Sequence, residues 1–82
     1  MNTKTIGKLA RKSRKDQGLT QAEAAGYLNV GIRFLSDLEN GKPTVQLEKA
    51  LHVLKGLGFK IFAVPKTSHK LIRYIEEHLG EE

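Results

Sequence analysis

Leu19-Thr20-Gln21-Ala22-Glu23-Ala24-Ala25-Gly26-Tyr27-Leu28-Asn29-Val30-Gly31-Ile32-Arg33-Phe34-Leu35-Ser36-Asp37-Leu38-Glu39-Asn40-Gly41 is the stretch that decides how this chain folds. It reads as two short helices joined by a tight turn. Thr20 and Glu23 have capping-box spacing: the hydroxyl can accept from the amide three residues on, and the carboxylate can reach back to the Thr20 amide. A helix starts there and runs to about Leu28. Asn29 tolerates the left-handed backbone that turns the chain, and Val30 follows as a buried pivot. A second helix fits Ile32 to Glu39, with Phe34, Leu35 and Leu38 inward and Arg33, Ser36, Asp37 and Asn40 outward. Asn40-Gly41 ends it with turn chemistry, and Pro43 prevents its continuation.

Helical spacing extends to both sides. From about Thr5 to Gln17, Ile6, Leu9 and Ala10 share a face, and Gly18 supplies a stop. Beyond Gly41, Thr44 can cap a fourth helix striped by Leu47, Leu51, Leu54 and Leu57, with Gly58 ending it. The character then changes. Phe59 to Val64 is short, β-rich and bounded by Gly58 and Pro65, so it reads as a strand. An otherwise helical chain offers it no ladder partner. Phe59, Ile61, Phe62 and Val64 are therefore expected to pair with the same strand of a second copy; an extended tail lying on the helices is the other option. From Ser68 to Leu79, Leu71, Ile72, Ile75 and Leu79 give one more amphipathic helix. Its charges oppose the macrodipole, Lys70 and Arg73 standing early and Glu76 and Glu77 late. A helix so short is marginal alone and must dock on something.

The expected architecture is mainly α. A four-helix bundle carrying the helix-turn-helix occupies residues 1–58, a dimerisation strand 59–65, and a C-terminal helix and tail 66–82. Eighty-two residues suit one domain with a modest core. There is no cysteine, which excludes disulfides and thiolate metal sites. No apolar run approaches the ~20 residues of a membrane span, and the N-terminus lacks the apolar segment of a secretory signal. A cytoplasmic protein is expected. The net charge of +5 favours an anionic partner. Lys4, Lys8, Arg11, Lys12, Arg14 and Lys15 crowd the first segment, while Glu76, Glu77, Glu81 and Glu82 gather at the far end.

Two short helices, the second polar on its outer side, form a shape that suits DNA. Such a helix fits the major groove and reads bases with its N-terminal residues. Arg33 can give two hydrogen bonds to O6 and N7 of guanine, and Ile32 can meet a thymine methyl. Asp37 can accept from cytosine N4, or it can hold Arg33 as an i,i+4 partner, which is the preferred reading. Ser36 is small enough to allow close approach. Each of these residues has a plainer reading as an ordinary surface or packing residue.

Leu19-Thr20-Gln21-Ala22-Glu23, then Ala25, Leu28 and Val30, and finally Leu38-Glu39-Asn40-Gly41-Lys42 closely resemble the Xre/Cro/phage-repressor family of helix-turn-helix proteins. The resemblance covers about Ile6 to Gly58 and implies a lambda-repressor-like bundle. The run from Val30 to Thr44, followed by a leucine-striped helix and Gly58-Phe59-Lys60-Ile61, is more narrowly similar to HipB-type antitoxins. Those pair with HipA-like kinase toxins and repress their own operon. The resemblance implies DNA contacts by Gln21, by Gly31, Ile32, Arg33, Ser36 and Asp37, and by the Asn40-Gly41-Lys42 turn. It also implies a structural ion pair between Arg14 and Glu39. Two departures stand out. Gly31 replaces a residue able to cap the recognition helix. Ala24 stands where leucine is usual and Phe34 where a smaller residue is usual, an exchange in which Phe34 could fill the space that Ala24 leaves.

No catalytic motif is present, His52, His69 and His78 lack ligand spacing, and no enzyme activity, cofactor, metal or small-molecule ligand is expected. The expected function is a dimeric repressor of a palindromic operator that also serves as antitoxin to a HipA-like kinase. A stand-alone regulator without a toxin, and an interaction module that has lost DNA binding, remain the other readings.

Overall fold

The structure is a computed structural model that describes residues 2–63 and 69–78. The described residues form five helices: α1 (Thr3–Asp16), α2 (Gln21–Leu28), α3 (Ile32–Glu39), α4 (Leu47–Gly56) and α5 (His69–His78). Helix α1 packs along α3, and α2 packs on both α3 and α4. Leu35, Leu38 and Val53 are the largest fully buried side chains. Ala10, Ala24, Ala25 and Ala50 complete the centre with small residues, and Ile6, Leu19, Val30, Phe34, Val45 and Phe59 pack around it.

Local signals set the two central helices. Thr20 Oγ1 accepts from the Glu23 amide at 3.1 Å and the Thr20 amide donates to Glu23 Oε1 at 3.0 Å, so the capping box is closed in both directions. The carboxyl of Glu23 lies below its ordinary pKa because the Thr20 backbone and side chain both hydrogen-bond it. Each of α1 to α4 is followed by a left-handed residue: Gly18, Asn29, Gly41 and Gly58 in turn. At the end of α3 this lets the Gly41 amide donate to the Leu38 carbonyl and the Lys42 amide to the Asp37 carbonyl, each at 3.0 Å. Two carbonyls of the last turn are thus satisfied.

Several boundaries and faces differ from expectation. Helix α1 begins at Thr3, because the Asn2 side chain accepts from the Thr5 amide and caps it. Its buried face is Gly7, Ala10 and Arg14, while Leu9 remains 37% exposed. Thr44 does not cap α4; the chain turns past it and the helix starts at Leu47 behind Gln46, without a side-chain cap. Leu47 is consequently 70% exposed, and the inward stripe is Ala50, Val53, Leu54 and Leu57. Phe34 is half-buried with Lys49 Nζ 5.8 Å above its ring, whereas Ala24 lines a groove with Leu19, Tyr27, Leu28 and Leu57. Both belong to one packed region, since Phe34 lies against the cluster that contains Ala24.

No strand forms among the described residues. Residues 59–63 run without regular structure: Phe59 is half-buried, and Ile61 and Phe62 stand outward. A ladder needs two strands, and the described residues of a single copy offer this segment no partner. Val64 lies outside the described residues. Helix α5 falls within the expected segment, whose ends at Ser68 and Leu79 are also outside. No helix among the described residues is long and apolar enough to cross a membrane.

Candidate nucleic-acid interface

The frame of the interface is an ion pair under the helix-turn-helix. Arg14 Nε lies 2.7 Å from Glu39 Oε2, and a second guanidinium nitrogen donates to Oε1 at 2.9 Å. The third arm of the fork donates to the Leu19 carbonyl at 2.7 Å, at the entrance to α2. Both side chains are buried. One arginine therefore fastens the end of α1 to the end of α3 and to the start of α2, and the two-bond geometry fixes their relative orientation. Burial opposes ionisation of Glu39. The hydrogen bonds from Arg14 and Gln21 and the charges of Arg14 and Arg11 outweigh it, so the carboxyl sits below its ordinary pKa. The Glu39 hydrogen bond likewise raises Arg14 against the cost of its burial.

Gln21 opens α2 and is half-buried, with Nε2 donating to Glu39 Oε1 at 3.1 Å. Its place at the front of α2 is thus fixed by the buried pair. The family resemblance implies a DNA contact for it; the structure shows that one of its N–H groups is already committed to the scaffold.

The exposed side of α3 gathers the remaining candidates. Gly31 is its N-cap, exposed and extended, and contributes no side-chain hydrogen bond. The amides of the first turn are left without a side-chain acceptor there, an arrangement that suits an approaching phosphate. Ile32 is 53% exposed. The Arg33 side chain is 90% exposed, with Nε 3.7 Å from Asp37 Oδ1. Ser36 and Asp37 are half-buried beneath it, and Asn40 Nδ2 approaches Ser36 Oγ at 3.5 Å.

Two features escaped the sequence reading. Lys42 Nζ lies 3.4 Å from Asp37 Oδ2, so Asp37 serves cations on both α3 and the following turn. Thr3 Oγ1 donates to the Gly41 carbonyl at 2.9 Å, which binds the start of α1 to that turn. A side chain at Gly41 would press to 2.8 Å from the Lys4 Cα, and its φ is +76°, so the position suits glycine on two counts. Neither feature has a local signal, because the five-residue spacing of Asp37 and Lys42 spans a turn and Thr3 is remote in sequence. Beyond this face, Lys4, Lys8, Arg11, Lys12 and Lys15 are exposed on α1. His52 has a structural partner: Nε2 donates to the Leu28 carbonyl at 2.7 Å and closes the end of α2.

The chain is similar to known proteins. The Helix-turn-helix family model matches residues 11–62. An uncharacterized HTH-type transcriptional regulator, y4mF, of Sinorhizobium fredii (strain NBRC 101917 / NGR234) is 55% identical over 56 residues, 68% of this chain and 74% of that protein. The family match runs from late α1 through α4 and so contains the capping box, the Asn29 turn, α3 and its closing glycine turn. With those elements folded as described, the chain belongs to the helix-turn-helix family.

Proposed function

We propose that this chain is a sequence-specific DNA-binding repressor that works in the cytoplasm and grips a palindromic operator as a homodimer. The observation that carries the reading is the exposed α3 face. Ile32, Arg33, Ser36 and Asp37 stand on an uncapped helix, beside a turn of Asn40, Gly41 and Lys42, over a scaffold locked by Arg14 and Glu39. Such a helix docks in the major groove with base-reading residues in its first turns, while amides and lysines of the flanking turn meet phosphate.

Dimerisation is supported by an apolar groove of about 310 Å³ lined by Ile6, Leu9, Leu51, Leu54 and residues 59–62. Ile61 and Phe62, 41% and 45% exposed, are the residues a second copy would cover as the two extended segments pair. Two recognition helices would then stand about one DNA turn apart, ~34 Å.

Within the same reading, the chain is the antitoxin of a HipA-like kinase. This part rests on the likeness to HipB-type proteins and on α5, which forms no broad contact with α1 to α4 among the described residues. The test is a band-shift on the DNA upstream of its gene across a salt series. If six or more phosphates are contacted, affinity falls at least ~10³-fold between 50 and 200 mM salt. Absence of salt-sensitive binding removes the repressor reading. Failure to co-purify with a kinase encoded next to it removes the antitoxin part alone.

A further inference from the structure

Asp37 carries a negative charge in the middle of a face meant for a polyanion. The other acid of α3, Glu39, is buried against Arg14, so it presents no free charge. Asp37 has no such lock. Its carboxylate is reached by Arg33 from one side at 3.7 Å and by Lys42 from the other at 3.4 Å. The same residue holds Lys42 a second time through its carbonyl, which accepts the Lys42 amide at 3.0 Å. Exposure grades across the cluster: the side chains of Arg33, Lys42 and Asp37 are 90%, 50% and 27% exposed. The cations form the rim and the carboxylate the floor.

We propose that Asp37 is a specificity-determining residue, whose carboxylate opposes docking on DNA of any sequence and is compensated only where a base offers it an amino hydrogen, as cytosine N4 does. The proposal rests on the DNA-binding reading above and goes beyond it. Long surface ion pairs are weak, so Arg33 and Lys42 can leave Asp37 for bases and phosphates at small cost. Their departure strips the carboxylate of its partners at the moment water is excluded and phosphates draw near. A bare anion there is unfavourable on two grounds, desolvation and like charge. A groove edge with an amino donor restores a partner; one with only acceptors does not. Discrimination thus comes from a repulsive element as much as from the attractive Arg33 contact.

The experiment compares wild type, Asp37→Asn and Asp37→Ala in full-length protein. Duplexes are selected by wild type from a randomised pool, and affinities for the winning duplex and for a scrambled one are measured from 50 to 200 mM salt. Asparagine can itself read adenine, so only an effect shared with alanine reports the lost charge. Both variants are expected to bind the scrambled duplex 3-fold or more tighter, with a salt slope steeper by about 0.9 for each cation that gains a phosphate. The ratio of selected to scrambled affinity should fall about 10-fold. Equal weakening on both duplexes would make Asp37 a brace for the turn and overturn the proposal, and so would unchanged ratios. A wild-type protein that selects nothing and shows no salt dependence takes away the DNA reading itself, and the inference with it.

Discussion

Glu39 accepts hydrogen bonds from Arg14 and Gln21 in a buried setting, so its charge is tied to the fold. Its carboxyl is held below the ordinary value. The stabilisation from that depressed pKa is complete above the unfolded value of about 4.3, and it fades as pH falls through the lower native value. Melting temperatures followed from pH 7 to pH 2 should therefore drop below about pH 4, and Glu39→Gln should flatten part of that limb. Removing one charge is harsher than removing two. Glu39→Ala should cost about 3–5 kcal/mol in urea unfolding, because Arg14 is left buried and unpaired, whereas the double change of Arg14 and Glu39 to leucine should cost less than the two single changes added together. Gly7 makes a different prediction. A Cβ there would come within 2.7 Å of the Glu39 carbonyl oxygen and still closer to that of Leu38. Backbone cannot yield as a flexible side chain does, so Gly7→Ala should destabilise by about 1–3 kcal/mol despite alanine's better helix propensity, which a denaturation midpoint will report. The likeness to phage repressors pointed to Arg14 and Glu39. Nothing near Gly7 in the sequence announced its role, because the need for a bare Cα arises from a helix thirty residues away.

At the scale of elements, what was legible is what is local. Helix α2 begins after Thr20, α3 spans Ile32–Glu39, and both end where Asn29 and Gly41 turn left-handed, all from residues adjacent to the boundary. Helix α4 was misplaced at its start, since Pro43-Thr44 had the right chemistry for a cap but half-buried Val45 draws the chain against the core before the helix begins. That is tertiary packing, and a leucine count cannot see it; Ala50 and Val53 took the inward places assigned to Leu47 and Leu51. The candidate site was legible as the outward face of α3, while the links that join it, Lys42 to Asp37 and Thr3 to Gly41, cross element boundaries. The missing cap of α3 yields a prediction at this scale. Gly31 has ordinary extended dihedrals and open space where a Cβ would go. Gly31→Ser should add a side-chain acceptor for the first-turn amides and restrict the unfolded chain, raising stability by about 0.5 kcal/mol in thermal unfolding. If those amides instead serve phosphate, the same variant should weaken DNA binding, since its hydroxyl competes for them.

The whole molecule leaves apolar surface where a small bundle can least spare it. Ile61 and Phe62 are substantially exposed beside Leu9, on a segment with no ladder partner among the described residues, and the core behind them is built largely from alanines and leucines. A second copy would cover this surface and supply the missing strand, so stability should depend on protein concentration. The melting temperature of wild type should rise over a hundredfold dilution series read from low to high concentration. Ile61→Asp should abolish that rise without unfolding the bundle, because the side chain lies outside the α1–α4 core, and sedimentation should show monomers. Operator binding should then become weaker and lose its dependence on the second half-site, since two linked recognition helices act at high effective concentration and a single one does not. If Ile61→Asp remains dimeric with an unshifted melting curve, the pairing surface lies elsewhere, and the exposed faces of α5 and of the groove flanked by Tyr27 become the next places to cut.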